Sequence, residues 1–151
     1  MEAVVATVVR GYKEVHDKLR AAIGGMEADA LNWTPAPETN SVAVLVVHTL
    51  GSEAEVLRVC SNTPSERDRD AEFVSEVAAA DDLLARLDAA DALLDELGPK
   101  ITAADLDAAR SRGGREAQEC RWMLVTNYGH AREHLAHIEL SKQLYAAKKL
   151  G

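Results

Sequence analysis

Two segments of this chain repeat apolar residues at alternating steps of three and four, the spacing of helices that pack nearly parallel to their neighbours. The first runs from Glu2 to Ile23 and the other from Val74 to Leu97, and each stops at a glycine pair or Gly-Pro. Their seams are Val5, Val8, Tyr12, Val15 and Leu19, and Leu83, Leu87, Ala90, Leu94 and Leu97. Such helices bury their seams only against other helices, so the pattern predicts a helical bundle.

Two further segments, Ser41–Cys60 and Glu116–Lys148, have a similar spacing but carry polar side chains on the seam. These seams read Ser41, Leu45, His48, Ser52, Glu55 and Val59, and Met123, Asn127, His130, His134, His137, Ser141 and Leu144. Prolines or glycines mark loops at 32–37, 61–70 and 111–114, and Thr102 is expected to cap a short helical turn that reaches Arg110. We therefore predict an all-α four-helix bundle formed by one domain over residues 1–151.

The composition agrees with helices and limits the partners. The chain is 47% hydrophobic and only 4% aromatic, with a formal net charge of −8. An acidic surface without a basic patch repels nucleic acid, and no apolar run reaches the length of a membrane span. The first residues lack the features of a signal peptide, so a cytoplasmic protein is expected. Cys60 and Cys120 share no metal-ligand spacing and are expected to be free thiols.

Histidines on the polar seams predict a metal site. At about 100° per residue, His130, His134 and His137 fall within roughly 60° of one helix face. Burying several imidazoles is unfavourable unless each finds a partner. A pair at i and i+4 brings two ring nitrogens within reach of one ion, and His48 on another helix supplies a third ligand. Three protein ligands leave positions open, as in catalytic sites, and imidazoles suit zinc, nickel, copper and iron alike.

Three other polar residues each have more than one possible role or lie beside a seam. His137 is a candidate fourth ligand, but a role beside the ligands or in a pocket is favoured. Glu55 lies about two turns beyond His48. Three roles are open to it: a hydrogen bond to a ligand, action as a base, or a partly solvated carboxylate at the bundle end. His16 lies beside the first seam and is expected at the surface.

Trp33 and Asn127 are the candidates for contacting a cofactor or cosubstrate. Asn127 shares the seam of the histidines, and Trp33 stands in the loop that would form the mouth of the site. Packing in a core or an interface is the alternative for Trp33 and also for Trp122.

The stretch Asn32-Trp33-Thr34-Pro35-Ala36-Pro37, followed by Asn40-Ser41 and then His48, resembles the entry to helix two of the DinB/YfiT-like superfamily. Segment four, with HAREHLAHIEL from His130, resembles the closing helix of that family, in which HxxxH precedes Gly-Gln or Gly-His. The likeness covers nearly the whole chain through the order and length of the helices.

This resemblance implies a four-helix bundle of up-down-down-up topology that is often a homodimer. It implies a metal, commonly zinc or nickel, at the positions matched by His48, His130 and His134. Some relatives, including mycothiol-dependent maleylpyruvate isomerases, carry Glu at the position of His130. Ala136 stands where the family usually has Gly and is expected to narrow the space beside the metal.

The resemblance also implies a function. Characterised relatives use a low-molecular-weight thiol such as mycothiol or bacillithiol in S-transfer or isomerisation, so this chain is expected to join a thiol and a small electrophile. Two alternatives remain open: a hydrolase that activates water with the same ion, and a protein that binds metal or a small ligand without chemistry.

Overall fold

The computed structural model covers residues 1–151 and confirms the all-α four-helix bundle. The four long helices are α1 (Ala3–Ile23), α3 (Val42–Cys60), α5 (Ala80–Leu97) and α7 (Cys120–Leu150). Shorter elements connect them: α2 (Ala28–Leu31), α4 (Arg69–Glu72), a 3-10 turn (Gly98–Lys100), α6 (Ala103–Asp107), and the two-residue antiparallel strands β1 (Ala109–Arg110) and β2 (Gln118–Glu119).

Helices α1 and α7 run parallel. Near the middle of α1, Tyr12 Oη accepts a hydrogen bond from Asn127 Nδ2 at 2.8 Å. Near the C-terminal end of α1, the carbonyl of Ala22 accepts a hydrogen bond from Lys142 Nζ at 2.8 Å. Because residue numbers increase together along both helices, the two point the same way.

Helices α3 and α5 run in the opposite direction. The contacts that show this are Ser52 with Asn127 and Cys60 with Cys120 between α3 and α7, and Lys13 with Asp95 and Arg20 with Asp88 between α1 and α5. The order of directions is therefore up, down, down, up. The long crossover 61–79 returns the chain from the end of α3 to the start of α5.

The apolar seams predicted for α1 and α5 form the core. Every predicted seam residue of these two helices is buried, except that Ala90 is only partly buried. Gly11 on α1 allows close packing with α7, since a Cβ there would lie only 2.7 Å from the Tyr128 ring.

Helix α5 begins at Ala80, later than the predicted Val74. The side chain of Asn32 explains the difference, because it forms both hydrogen bonds of the Val77 backbone. Its Nδ2 donates to the Val77 carbonyl at 2.8 Å, and its Oδ1 accepts from the Val77 amide at 3.0 Å. Val77 therefore lies outside the helix, and Val74 is 79% exposed instead of lying on a helix seam.

The other long helices follow prediction more closely at their starts. Ser41 caps α3, since its side chain accepts from the Val44 amide at 3.1 Å. Helix α7 begins at Cys120, a few residues after the predicted Glu116, because β2 pairs with β1 just before it. The turn after Thr102 has its predicted cap but ends at Asp107.

Both cysteines are buried free thiols, as expected. None of the helices combines the length and the apolar character that crossing a bilayer requires.

Candidate metal centre

Three histidines converge from α3 and α7. His48 lies on α3, and His130 and His134 lie one turn apart on α7, as predicted. One nitrogen of each ring can be chosen so that all three lie within 4.8 Å of one another. The Nε2 atoms of His130 and His134 are 2.9 Å apart. Two neutral imidazole nitrogens reach this distance when one donates its proton to the other, and a cation held between them would replace that proton. Three ring nitrogens this close form a donor set that suits a metal ion.

The protonation of these rings favours metal binding. Burial lowers the pKa of His48 and His130 below the ordinary histidine value. Burial, together with the neighbouring His130 and His48, lowers the pKa of His134 to about 4. All three imidazoles are therefore neutral at pH 7 and have lone pairs available for an ion.

A carboxylate from the crossover orients His48. Helix α4 places Glu72 against α3, where Glu72 Oε1 accepts a hydrogen bond from His48 Nδ1 at 3.0 Å. Arg67 fixes that carboxylate with two hydrogen bonds, from Nη2 to Oε1 at 2.7 Å and from Nε to Oε2 at 2.8 Å. With Nδ1–H directed at Glu72, the lone pair of His48 Nε2 is left for a metal. Such carboxylate–histidine pairs set the tautomer and raise ligand basicity.

Gly51 makes this approach possible. A Cβ at Gly51 would overlap Glu72 Oε2, so the carboxylate lies directly against the α3 backbone. The substitution Gly51→Ala is therefore expected to displace Glu72 from His48 and to weaken zinc binding by roughly 10–100-fold. Zinc affinity is measured by competition with a chromophoric chelator.

The matched control is Gly129→Ala on α7, where a Cβ meets no atom within 4 Å. Alanine generally favours a helix over glycine, so neither change should unfold the protein by lowering helix propensity. Equal zinc affinity of Gly51→Ala and the parent would contradict the assignment of Glu72 to His48.

A pocket of about 400 Å³ opens beside His48 and His130. Its walls come from α3, α7, the crossover and the segment before α7, and four arginines face it: Arg67, Arg69, Arg112 and Arg115. Trp122, which is 52% exposed, also lines this pocket, so it is neither core packing nor remote from the site.

Asn127 lies at the pocket wall but is fully engaged inside the bundle. Its Oδ1 accepts from Ser52 Oγ at 2.6 Å, and its Nδ2 donates to Tyr12. Asn127 is only 3% exposed, so little of its side chain can contact a ligand directly. Its hydrogen bonds instead hold α1, α3 and α7 together beside the pocket.

Glu55 and His137 lie near the three histidines but are not part of the group whose ring nitrogens converge. Glu55 Oε2 accepts a hydrogen bond from Arg67 at 2.8 Å and lies 3.7 Å from Arg112. His137 is exposed, unlike a seam residue, and its Nδ1 is 3.4 Å from His134 Nδ1. Ala136 is also exposed.

The structure does not bring Trp33 to the histidines. Its ring packs against Tyr145 at 5.4 Å between centroids, and Lys148 Nζ lies 5.5 Å from it. Tyr145 is eleven residues beyond His134 on α7, which is about 16 Å along a helix. The segments that carry Arg69 and Arg115 line the pocket, and the loop at 32–37 contributes none of its lining residues.

The expectation that His16 lies at the surface was wrong. His16 is fully buried, and its two nitrogens face Glu53 Oε2 at 2.9 Å and Asp91 Oδ1 at 2.7 Å. Its position next to the seam of α1 brings it between α3 and α5, where two carboxylates provide partners that the local sequence does not reveal.

Comparisons with known proteins agree with this architecture. A family model described as the DinB superfamily matches residues 12–138, which include all three histidines. The fold is similar to the crystal structure of a conserved protein from Enterococcus faecalis, with 18% identity, a TM-score of 0.77, and coverage of 95% of this chain and 97% of that one. This identity is low enough that the likeness concerns the fold alone. None of the curated proteins matches the chain significantly.

Proposed function

The chain belongs to the DinB superfamily, and on that premise we propose that it is a metal-dependent S-transferase or isomerase acting with a low-molecular-weight thiol. The ligands are His48, His130 and His134, and the ion is zinc or nickel. The observation that carries the proposal is the convergence of three neutral imidazoles beside an open pocket. A site with three protein ligands leaves room for a reacting molecule, as catalytic zinc sites do.

When bound, the ion lowers the pKa of a thiol that it contacts, so that the reactive thiolate forms at neutral pH. The residues of the chain provide the orientation. Glu72 holds the His48 ring, and Arg67 holds Glu72. Glu55 is held by Arg67 in turn, so we assign Glu55 to positioning this arginine.

The transfer needs one proton acceptor. The thiol loses its proton, its sulfur forms a bond to an electrophilic carbon, and the leaving group departs from that carbon with the bonding electrons. We assign the proton to His137, which is exposed and adjacent to His134. The thiol is mycothiol or bacillithiol in this proposal, and the electrophile is a small organic molecule.

Zinc- or nickel-loaded protein is expected to join a thiol to a halo-aromatic acceptor, whereas metal-free protein gives only the background rate. The thioether is followed by absorbance and mass spectrometry with mycothiol, bacillithiol and glutathione. His137→Gln is expected to retain metal and to lower kcat by about 100-fold, within the usual range for a general base.

The outcomes separate the alternatives. Turnover of a small ester or amide without any thiol would select the hydrolase. Tight binding of metal without turnover in any of these assays would select the non-catalytic binding protein.

A further inference from the structure

The pocket beside the histidines differs in charge from the rest of the molecule. The chain has a formal net charge of −8, yet the pocket wall carries four guanidinium groups and a single carboxylate, that of Glu116. Only Trp122 is hydrophobic among the lining residues. Neutral histidines add no charge, and a divalent ion would make the site more positive still.

One of the four arginines is already balanced. Arg67 makes hydrogen bonds to both Glu55 and Glu72, at 2.7–2.8 Å, and its side chain is only 9% exposed. It therefore belongs to the support of His48 and is not free to bind another anion.

Arg112 is balanced only in part. Its side chain is 16% exposed, its closest carboxylate oxygen is Glu55 Oε2 at 3.7 Å, and its Nε is buried without a hydrogen-bond partner. Burial lowers the pKa of Arg112, and the charges of Arg115 and Arg67 lower it further, against the opposing effect of Glu55. A largely buried guanidinium whose nearest carboxylate lies beyond hydrogen-bond distance is only weakly compensated, and an anion from outside would complete its hydrogen bonding.

Arg115 and Arg69 lie at the exposed part of the same pocket. Guanidinium groups bind carboxylates and phosphates through paired N–H donors, which gives both affinity and orientation. The volume of about 400 Å³ limits the ligand to a small molecule.

We propose that the molecule acted on at this site is a small organic oxyanion whose carboxylate or phosphate binds Arg112 and Arg115. Its uncharged part lies against Trp122, and its reactive atom is directed toward His48 and His130. This inference rests on the proposed function for the reaction, but the binding of the anion depends only on the arginines of the chain.

Three probes with the same ring test the anion preference: benzoate, phenyl phosphate and uncharged benzamide. Binding is measured by fluorescence quenching of Trp122 in a Trp33→Phe background, with both zinc-loaded and metal-free protein. At least one of the two anions is expected to bind roughly tenfold or more tightly than benzamide, since a charge-assisted hydrogen bond is involved. Benzoate alone would identify a carboxylate, and phenyl phosphate alone would identify a phosphate.

Arg112→Gln and Arg115→Gln are each expected to reduce this preference by about tenfold while the zinc content stays at the parental level. Arg10→Gln, an exposed arginine on α1, is the control for the loss of one positive charge and should leave the preference unchanged. Equal binding of anions and benzamide, or an anion preference that survives both pocket substitutions, would overturn the proposal. A protein that binds no metal but keeps the anion preference in the metal-free state would overturn the proposed function and support the anion site.

Discussion

His134→Ala is expected to remove the metal ion from the protein. The parent should contain about one equivalent of zinc or nickel after reconstitution, because three neutral imidazoles can hold one ion. Loss of a direct ligand should weaken binding by more than the 10–100-fold that follows loss of a supporting residue. His48→Ala is expected to have the same effect, although it acts from the other helix. Metal content is measured by plasma mass spectrometry on untagged protein.

His137→Ala is the matched control on α7. It removes an imidazole 3.4 Å from His134, but from an exposed position one turn away. It is expected to keep its metal, and excess zinc should stabilise it against heat as it stabilises the parent. Two results would contradict the site: a parent that takes up no metal on reconstitution, or parental metal content in both ligand variants.

The histidine spacing was informative because it depends on local geometry. Residues four apart on a helix lie on one face, so the sequence alone predicts that His130 and His134 are neighbours. The same holds for the apolar seams of α1 and α5, in which periodicity directly reports burial. Most of the fold and the three proposed ligands could therefore be predicted, because they lie on regular helices.

The support of the site could not be predicted in this way. Glu72 and Arg67 lie in a crossover that reads as a charged loop. The partner of Glu72, His48, is 24 residues away, and the partners of Arg67, Glu55 and Glu72, are 12 and 5 residues away, so no periodic relation connects them. The absence of a side chain at Gly51 gives room for Glu72, but a glycine inside a helix does not say what approaches it. Irregular segments have no repeating geometry, so their contacts depend on the assembled bundle.

His16 shows the same limit inside a regular helix. Its position beside the seam follows from the helix period, but whether such a residue is exposed depends on Glu53 and Asp91 from other helices. Both of its nitrogens face a carboxylate, so only the protonated ring can donate to both. His16, Glu53 and Asp91 thus form a network of ion pairs, which the spacing of residues along α1 alone does not indicate.

His16→Leu is expected to destabilise the protein by about 3–5 kcal/mol, the usual cost of leaving one member of a buried ion pair without its partner. The side chain of Glu53 is 2% exposed, and its Oε1 already has no hydrogen-bond partner. Burial raises the pKa of Glu53, and the hydrogen bond and charge of His16 oppose that rise. In His16→Leu, Glu53 therefore loses the only neighbour that stabilises its charged form. The free energy of unfolding is measured in urea at pH 7 with a chelator present, so that metal binding does not contribute.

Two comparisons make this result specific to the buried pair. The double variant His16→Leu/Glu53→Leu should recover most of the loss, since apolar replacement of a whole buried pair is often neutral. Lys13→Gln removes an exposed ion pair with Asp95 on the same helices and should cost less than about 1 kcal/mol. The single variant Glu53→Leu completes the cycle. A double variant that is as unstable as the sum of the losses in His16→Leu and Glu53→Leu would contradict the pairing of His16 with Glu53.

The pH dependence of stability provides an independent test of the charge on His16. Burial alone would lower its pKa, but the hydrogen bonds and charges of Glu53 and Asp91 outweigh burial and raise the pKa above 6.5. A group whose pKa is raised in the folded state binds more protons there than in the unfolded state, so its contribution is complete below about pH 6.5. That contribution is lost as the pH rises through the folded-state pKa. The parent should therefore lose stability above pH 6.5, whereas the double variant should not show this loss, because it has neither member of the pair.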